Sequence, residues 1–153
     1  MIAFTILGEP ASKANSREIV MIGGRPSVIK SKKALAYERD ALRQIPASAR
    51  KRIAGPVSVT LRIWYASERP DLDESVILDV MQDRYGKAPA VPAGCQKLPR
   101  PLLQAGVYQN DRQVREKHVF HGIDRANPRT EVVVQPLPGS VAAQGDLLAG
   151  CEA

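Results

Sequence analysis

The hydrophobic pattern is sharpest over residues 56–65, PVSVTLRIWY, where Val57, Val59, Leu61, Ile63 and Tyr65 alternate with Ser58, Thr60, Arg62 and Trp64. Side chains along a strand point to its two faces in turn, so this period of two predicts a strand with one face in a core. Ile2–Leu7 is rich in β-formers, ends at Gly8 and is barred from continuing by Pro10, which predicts another strand. Glu18–Ile22 and Pro26–Lys30 flank Gly23-Gly24, and glycine tolerates the positive φ of tight turns, so the segment reads as a hairpin. From Ser31, an N-cap residue, to about Gln44 the period becomes helical. Ala34, Leu35, Ala41, Leu42 and Ile45 share a stripe, with Lys32, Lys33, Arg39 and Arg43 elsewhere. A second helix is expected from Ser75 to about Tyr85.

Pro89, Pro92, Pro99 and Pro101 break regular structure across 86–105, predicting a long loop or insertion. Short runs then predict strands at Gly106–Gln109, Val114–His121 and Arg129–Gln135. From Pro136 onward small residues predominate, and 136–153 are expected to form a flexible tail. Strands with helices set between them give an α+β, or mixed α/β, domain.

The chain's 153 residues suit one domain with its own core. It has no apolar run of 18 residues and no signal-peptide pattern at its start, so a cytoplasmic protein without a membrane span is expected. Cys95 and Cys151 lack CxxC spacing and neighbouring His, which argues against a zinc site or a disulfide framework. The formal charge of +6 hints at an acidic partner, and its layout says more. Residues 10–52 hold eleven Lys or Arg against three acids, a local +8, whereas residues 68–83 hold six acids against Arg69 alone, a local −5. An acidic knot in a basic chain would repel a polyanion unless a divalent cation lay between carboxylate and phosphate. The plain alternative is a solvated acidic face.

Within that knot, Arg69-Pro70-Asp71-Leu72-Asp73-Glu74 follows the clear strand. In an extended backbone Asp71 and Asp73 point to one side, roughly 7 Å apart along the chain, with Leu72 as an apolar anchor on the other. Two such carboxylates suit one hard divalent ion such as Mg²⁺, although Asp residues also form turns with no further role. A second cluster, Asn110-Asp111-Arg112-Gln113, precedes a predicted strand, so a sheet could carry Asp111 to the first pair. His118 and His121 lie three apart on a strand, hence on opposite faces, and read as packing or surface residues.

Taken together, RPDLD with its following helix, NDRQV before a strand, the N-terminal GEPASKANSR, the KSKKALAYERDAL helix and the D-x-x-NPR-x-E-V-x-V pattern over Asp124–Val134 resemble the RusA family of Holliday-junction resolvases, especially its phage-type members. The resemblance spans about residues 2–135. It implies one RusA-like domain over 1–135, a mixed sheet with two main helices, with 86–105 as a loop or insertion. It also implies a homodimeric crossover junction endodeoxyribonuclease that cuts four-way DNA by paired nicks with Mg²⁺, or Mn²⁺ as a substitute. The family's catalytic and metal-binding acids carry over onto Asp71, Asp73 and Asp111, with Asp79 a fourth candidate ligand if the preceding turn is two residues shorter. Where the family pattern has Asn and then a spaced Lys, this chain has Glu74 and Ile77. A phosphate-facing cation is therefore expected from Arg112, Lys117 or the N-terminal segment. Candidate DNA contacts are Lys13, Arg17, Arg25, Lys30, Lys32, Lys33 and Arg112. Two other readings use the same residues: a branched-DNA-binding protein without turnover, and a small-molecule Mg²⁺ phosphohydrolase.

Overall fold

In the computed structural model, which describes residues 1–142 apart from the side chains of Lys13, Val141 and Ala142, the elements in chain order are β1 (Ile2–Leu7), β2 (Arg17–Ile22), β3 (Arg25–Lys30), α1 (Lys32–Gln44), β4 (Ile53–Ala54), β5 (Val57–Tyr65), α2 (Ser75–Met81), β6 (Arg84–Tyr85), β7 (Leu102–Gln104), β8 (Val114–Ile123), β9 (Arg129–Pro136) and β10 (Val141–Ala142). Four strands form the main sheet in the order β1-β9-β5-β8, antiparallel except for the β5–β8 pair. The result is one mixed α+β domain with a mixed sheet and two helices. No described helix is long and apolar enough to cross a membrane.

β5 is the central strand, and its alternation works as the sequence pattern implies. Val57, Val59, Leu61, Ile63 and Tyr65 are fully buried on the helix-covered face, beside Ile6, Val132 and Val134. Among the described residues the other face of the sheet carries no helix. There the Arg129 guanidinium lies over the Trp64 ring at 4.9 Å and Arg62 over Phe120 at 5.5 Å, so stacked cations shield part of the aromatic surface.

α1 starts where expected, with Ser31 Oγ accepting from the Ala34 N–H at 3.2 Å. Its buried stripe is Ala34, Tyr37, Ala41 and Ile45, and the expected Leu35 is 45% exposed. Spacings of three and four residues keep Tyr37 in line with Ala34 and Ala41, whereas Leu35 lies one step round the helix. Gln44 at the helix end holds the last residue of β1: the Leu7 N–H donates to Oε1 at 2.7 Å, and Nε2 donates to the Leu7 carbonyl at 3.0 Å.

Four further boundaries differ from the sequence expectation. α2 stops at Met81, because Gln82 is extended and the Met81 carbonyl accepts from the Val107 N–H at 2.7 Å. Gly106–Gln109 is no strand; it runs buried, with Tyr108 bridging Ile53 and Gln82 in isolated pairs. The stretch 86–105 is a loop whose end returns as β7 to pair with β6. The chain beyond Pro136 is built in before any tail begins: the Leu137 N–H donates to the Pro56 carbonyl at 3.0 Å and β10 pairs with β4. The rest of the expected tail, 143–153, with Cys151, lies outside the described residues.

One ion pair, between a buried carboxylate and a partly exposed guanidinium, ties these irregular segments together. The Asp83 carboxylate, with a fully buried side chain, accepts from Arg52 Nη2 at 2.8 Å, Tyr85 Oη at 3.1 Å and the Gly106 N–H at 2.8 Å. Gly106 has to be glycine, since a Cβ there would lie 2.4 Å from the Met81 carbonyl oxygen. Removing the guanidinium leaves the Asp83 carboxylate with Tyr85 and the Gly106 N–H alone, so Arg52→Ala should cost about 1–3 kcal/mol of stability in urea denaturation.

Burial pushes the Tyr37 phenol up to about 12. An unfolded tyrosine loses its proton near pH 10, so between about pH 10 and 12 the folded state binds more protons and stability should fall as pH rises. Tyr37→Phe should flatten that decline by about 1.4 kcal/mol per pH unit, as read from denaturation midpoints across the range.

Candidate functional site

The acidic segment leaves the sheet at the end of β5 and returns as α2, and the group that shapes it is a core tyrosine. The Tyr65 hydroxyl donates to the Asp71 carbonyl at 3.2 Å and accepts from the Asp73 N–H at 3.3 Å, so one side chain pins both ends of Asp71-Leu72-Asp73. Leu72 is not the expected anchor, since it is exposed and borders a cleft. Tyr65 was hard to single out in the sequence as more than the last inward residue of its strand. Its ring is held in turn by His121, stacked with centroids 5.0 Å apart, while His118 is exposed on the other face of β8. Burial raises the Tyr65 phenol above its ordinary range, so the hydroxyl stays protonated and able to donate.

The two acids pinned by Tyr65 differ. Asp73 is largely buried, and its Oδ1 accepts from the Ser75 N–H at 3.0 Å and the Ser75 hydroxyl at 2.7 Å, a turn that starts α2. Asp71 is exposed, and among the described residues no hydrogen bond or ion pair engages its carboxylate. Glu74 is paired with Lys117 of β8, which brings the start of α2 back over that strand. The family-pattern Lys position, Ile77, is fully buried under α2, where an ammonium would have no solvent; the cation beside the acids comes instead from β8.

The Asn110-Asp111-Arg112-Gln113 cluster divides in the same way. Asn110 Oδ1 accepts from the Arg112 N–H at 2.9 Å, and Gln113 Oε1 accepts from the Asn110 N–H at 2.8 Å, a reciprocal cap on a short 3₁₀ turn over Asp111–Gln113. Gln113 Nε2 also donates to the Ile53 and Gly55 carbonyls at 2.7 and 2.8 Å. Asn110 and Gln113 are thus scaffold, while Asp111 and Arg112 project into solvent.

Asp111 precedes β8 at the end of the parallel pair where β5 begins, whereas the Asp71 segment departs from the far end of β5. The acid in electrostatic reach of Asp111 is Asp79 on α2. Burial holds the Asp79 carboxyl above the usual carboxylate range; Lys30 opposes that rise, and Asp111 and Glu38 add to it. Among the described residues no three His, Cys, Asp or Glu side chains are grouped so as to hold a metal ion. The donors still suit Mg²⁺, which is commonly held by one or two carboxylates with waters and substrate phosphate rather than by an all-protein cage. Asp71 offers a free carboxylate and Asp73 its second oxygen.

Basic residues face these acids. A cleft of about 300 Å³ is lined by Glu9, Asn15, Lys33, Arg69 and Asp71 among others, and one of about 510 Å³ by Ser16, Arg17, Leu72, Asp73, Glu74 and Ser75. Arg17, Arg25, Lys32, Lys33 and Arg112 are exposed. Lys30 is committed within the protein, 2.9 Å from Glu38 and 3.7 Å from Asp79. The Lys13 side chain lies outside the described residues.

The chain matches no protein-family model and no curated protein.

Removing the pinning hydroxyl should loosen the acidic segment without opening the core. Tyr65→Phe should lose two hydrogen bonds and about 1–3 kcal/mol in chemical denaturation, with faster exchange of the Asp73 amide as the local signature.

Proposed function

We propose that this protein is a Mg²⁺-dependent, structure-specific endodeoxyribonuclease of the RusA type that resolves four-way DNA junctions by paired nicks, working as a homodimer in the cytoplasm. The observation that carries the reading is the pair of clefts beside Asp71-Leu72-Asp73-Glu74, in which carboxylates and the cations Lys33, Arg69 and Arg17 share one surface. A site for phosphodiester cleavage needs both: oxygen donors for a divalent ion and fixed positive charge for the phosphate. When bound, Mg²⁺, or Mn²⁺ in its place, would neutralise the phosphate and lower the pKa of a coordinated water.

In this reading Asp71 and Asp73 hold the ion, and Tyr65 keeps their backbone in place. Asp111 and Asp79 form a second acidic pair beyond α2, apart from that ion. Arg17, Lys33 and Arg112 hold phosphates, with Lys117 near the acids in place of the missing helix Lys. Lys32 and Lys33 stand in the first turn of α1, whose free N–H groups and dipole add to the attraction for a phosphate. A junction has approximate two-fold symmetry, so an isologous dimer presents one site to each of two opposed strands.

With Mg²⁺, the purified protein should nick a synthetic four-way junction in paired positions and stop on addition of EDTA. Asp71→Asn should bind the junction and lose cutting by about 100-fold or more, an effect of the size seen when one key electrostatic group is removed. Full cutting by this variant would sink the assignment. Tight, salt-sensitive binding without nicking by the wild type would favour a branched-DNA-binding protein, and DNA binding with no salt dependence would favour a small-molecule phosphohydrolase.

A further inference from the structure

Among the described residues the hairpin β2–β3 pairs only with itself, joined by Gly23-Gly24 at φ +58° and +78°, the conformation of a tight two-residue turn. Ile19 is 74% exposed, Met21 67%, Val28 59% and Ile22 58%. Register places Ile19, Met21, Pro26 and Val28 on one side of the ribbon and Ile22 with Arg25 on the other, so the tip is apolar on both sides. A two-stranded ribbon is marginal in water by itself, and a solvent-facing apolar cluster of this kind marks a contact surface.

Two observations identify what it contacts. Arg17 and Arg25 leave the hairpin positively charged against Glu18 alone once Lys30 is paired with Glu38 and Asp79, so two copies meeting through it would bring like charges together, whereas a polyanion is attracted. The base of the hairpin, at Ser16 and Arg17, also lines the cleft of Asp73 and Glu74, so the ribbon begins at the edge of that cleft.

We propose that β2–β3 is a DNA-engaging arm whose apolar tip, Met21 and Ile22, inserts at the branch point of the junction. The inference rests on the nuclease reading and names how the site selects its substrate. A two-stranded ribbon fits a DNA groove, and apolar side chains wedged between bases cost unstacking energy, which is smallest where base stacking is already interrupted. The arm therefore favours branched over continuous duplex DNA and sets the distance from the branch to the cut.

The test uses the full chain, with Ca²⁺ replacing Mg²⁺, and a four-way junction carrying 2-aminopurine at the branch. Wild-type binding should raise the fluorescence about two-fold or more as the base unstacks. Met21→Ser/Ile22→Ser, whose circular dichroism should be unchanged because both side chains are exposed, should abolish the rise and weaken junction binding about ten-fold, with binding to linear duplex nearly unchanged. Arg25→Ala should instead keep the rise and reduce the salt dependence of binding by about one ion. Wild-type protein that nicks the junction without any fluorescence change overturns the arm while leaving the nuclease reading intact. Wild-type protein that neither binds nor nicks overturns both. A Met21→Ser/Ile22→Ser variant that keeps the full fluorescence rise, or that turns a wild-type dimer into a monomer in sedimentation, assigns the tip to another role and overturns the proposal.

Discussion

The parallel pairing of β5 with β8 is the constraint on which the rest of the molecule depends. Antiparallel neighbours can be joined by a tight turn, but parallel strands require the chain to travel back the full length of the sheet before the second can begin. Here that journey occupies residues 66–113, and it contains α2, the ribbon of β6 and β7, and the four candidate ligand acids Asp71, Asp73, Asp79 and Asp111. The return has to cross the buried face of β5, so α2 places Val76, Ile77, Val80 and Met81 against the core and leaves its ends for polar work. One end is fixed by the Tyr65 hydroxyl and the Ser75 turn, the other by Asp83 and Arg52. Where the acids stand is thus a consequence of how the crossover is fastened.

A division of labour runs through each polar cluster. In Asn110-Asp111-Arg112-Gln113 the amides close the turn on themselves and on β4, and the charged residues between them are left free. In Asp71-Leu72-Asp73-Glu74, Asp73 caps and Glu74 pairs, while Asp71 stays open beside Lys33 and Arg69. Spending one polar residue to hold the backbone and presenting its neighbour to solvent costs little, because the holding residue satisfies backbone groups that would otherwise be stranded. It also explains why acids so close in sequence differ in burial. Asp83, the last of the knot, is wholly structural: a carboxylate enclosed with a guanidinium, a tyrosine hydroxyl and a backbone amide has no capacity left for a ligand.

Much of the fold was legible because it rests on local periodicity. The alternation of Val57 through Tyr65, the Gly23-Gly24 turn and the Ser31 cap each follow from rules acting within a few residues, and each element lies within a residue or two of where the pattern puts it. The misplaced features are those that depend on distant partners. Nothing local says that Tyr37 rather than Leu35 faces the sheet, that Gly106–Gln109 runs buried without a ladder, or that the chain after Pro136 returns to Ile53-Ala54. The same holds for the candidate site: the free residues Asp71, Asp111, Arg17 and Arg112 could be read from the motifs, and Lys117 was one of several cations they allowed beside the acids, whereas Tyr65 as the pin and Lys30 as a committed ion-pair partner could not be read.

By itself the sequence determined that this chain makes one α+β domain, that its acids concentrate in one stretch of sixteen residues, and that its basic excess lies in the first third. Those properties are sums and periods, and no folding is needed to count them. Tertiary structure alone decided how the acids are shared out. Asp83 is committed to the core, Asp73 to the start of α2 and Asp79 to the company of Asp111, and Asp71 shares a cleft with Lys33 of α1 and Arg69. The reason is that a carboxylate's role depends on burial and on the groups within a few ångströms of it, and folding brings those together from neighbouring residues and from distant segments alike.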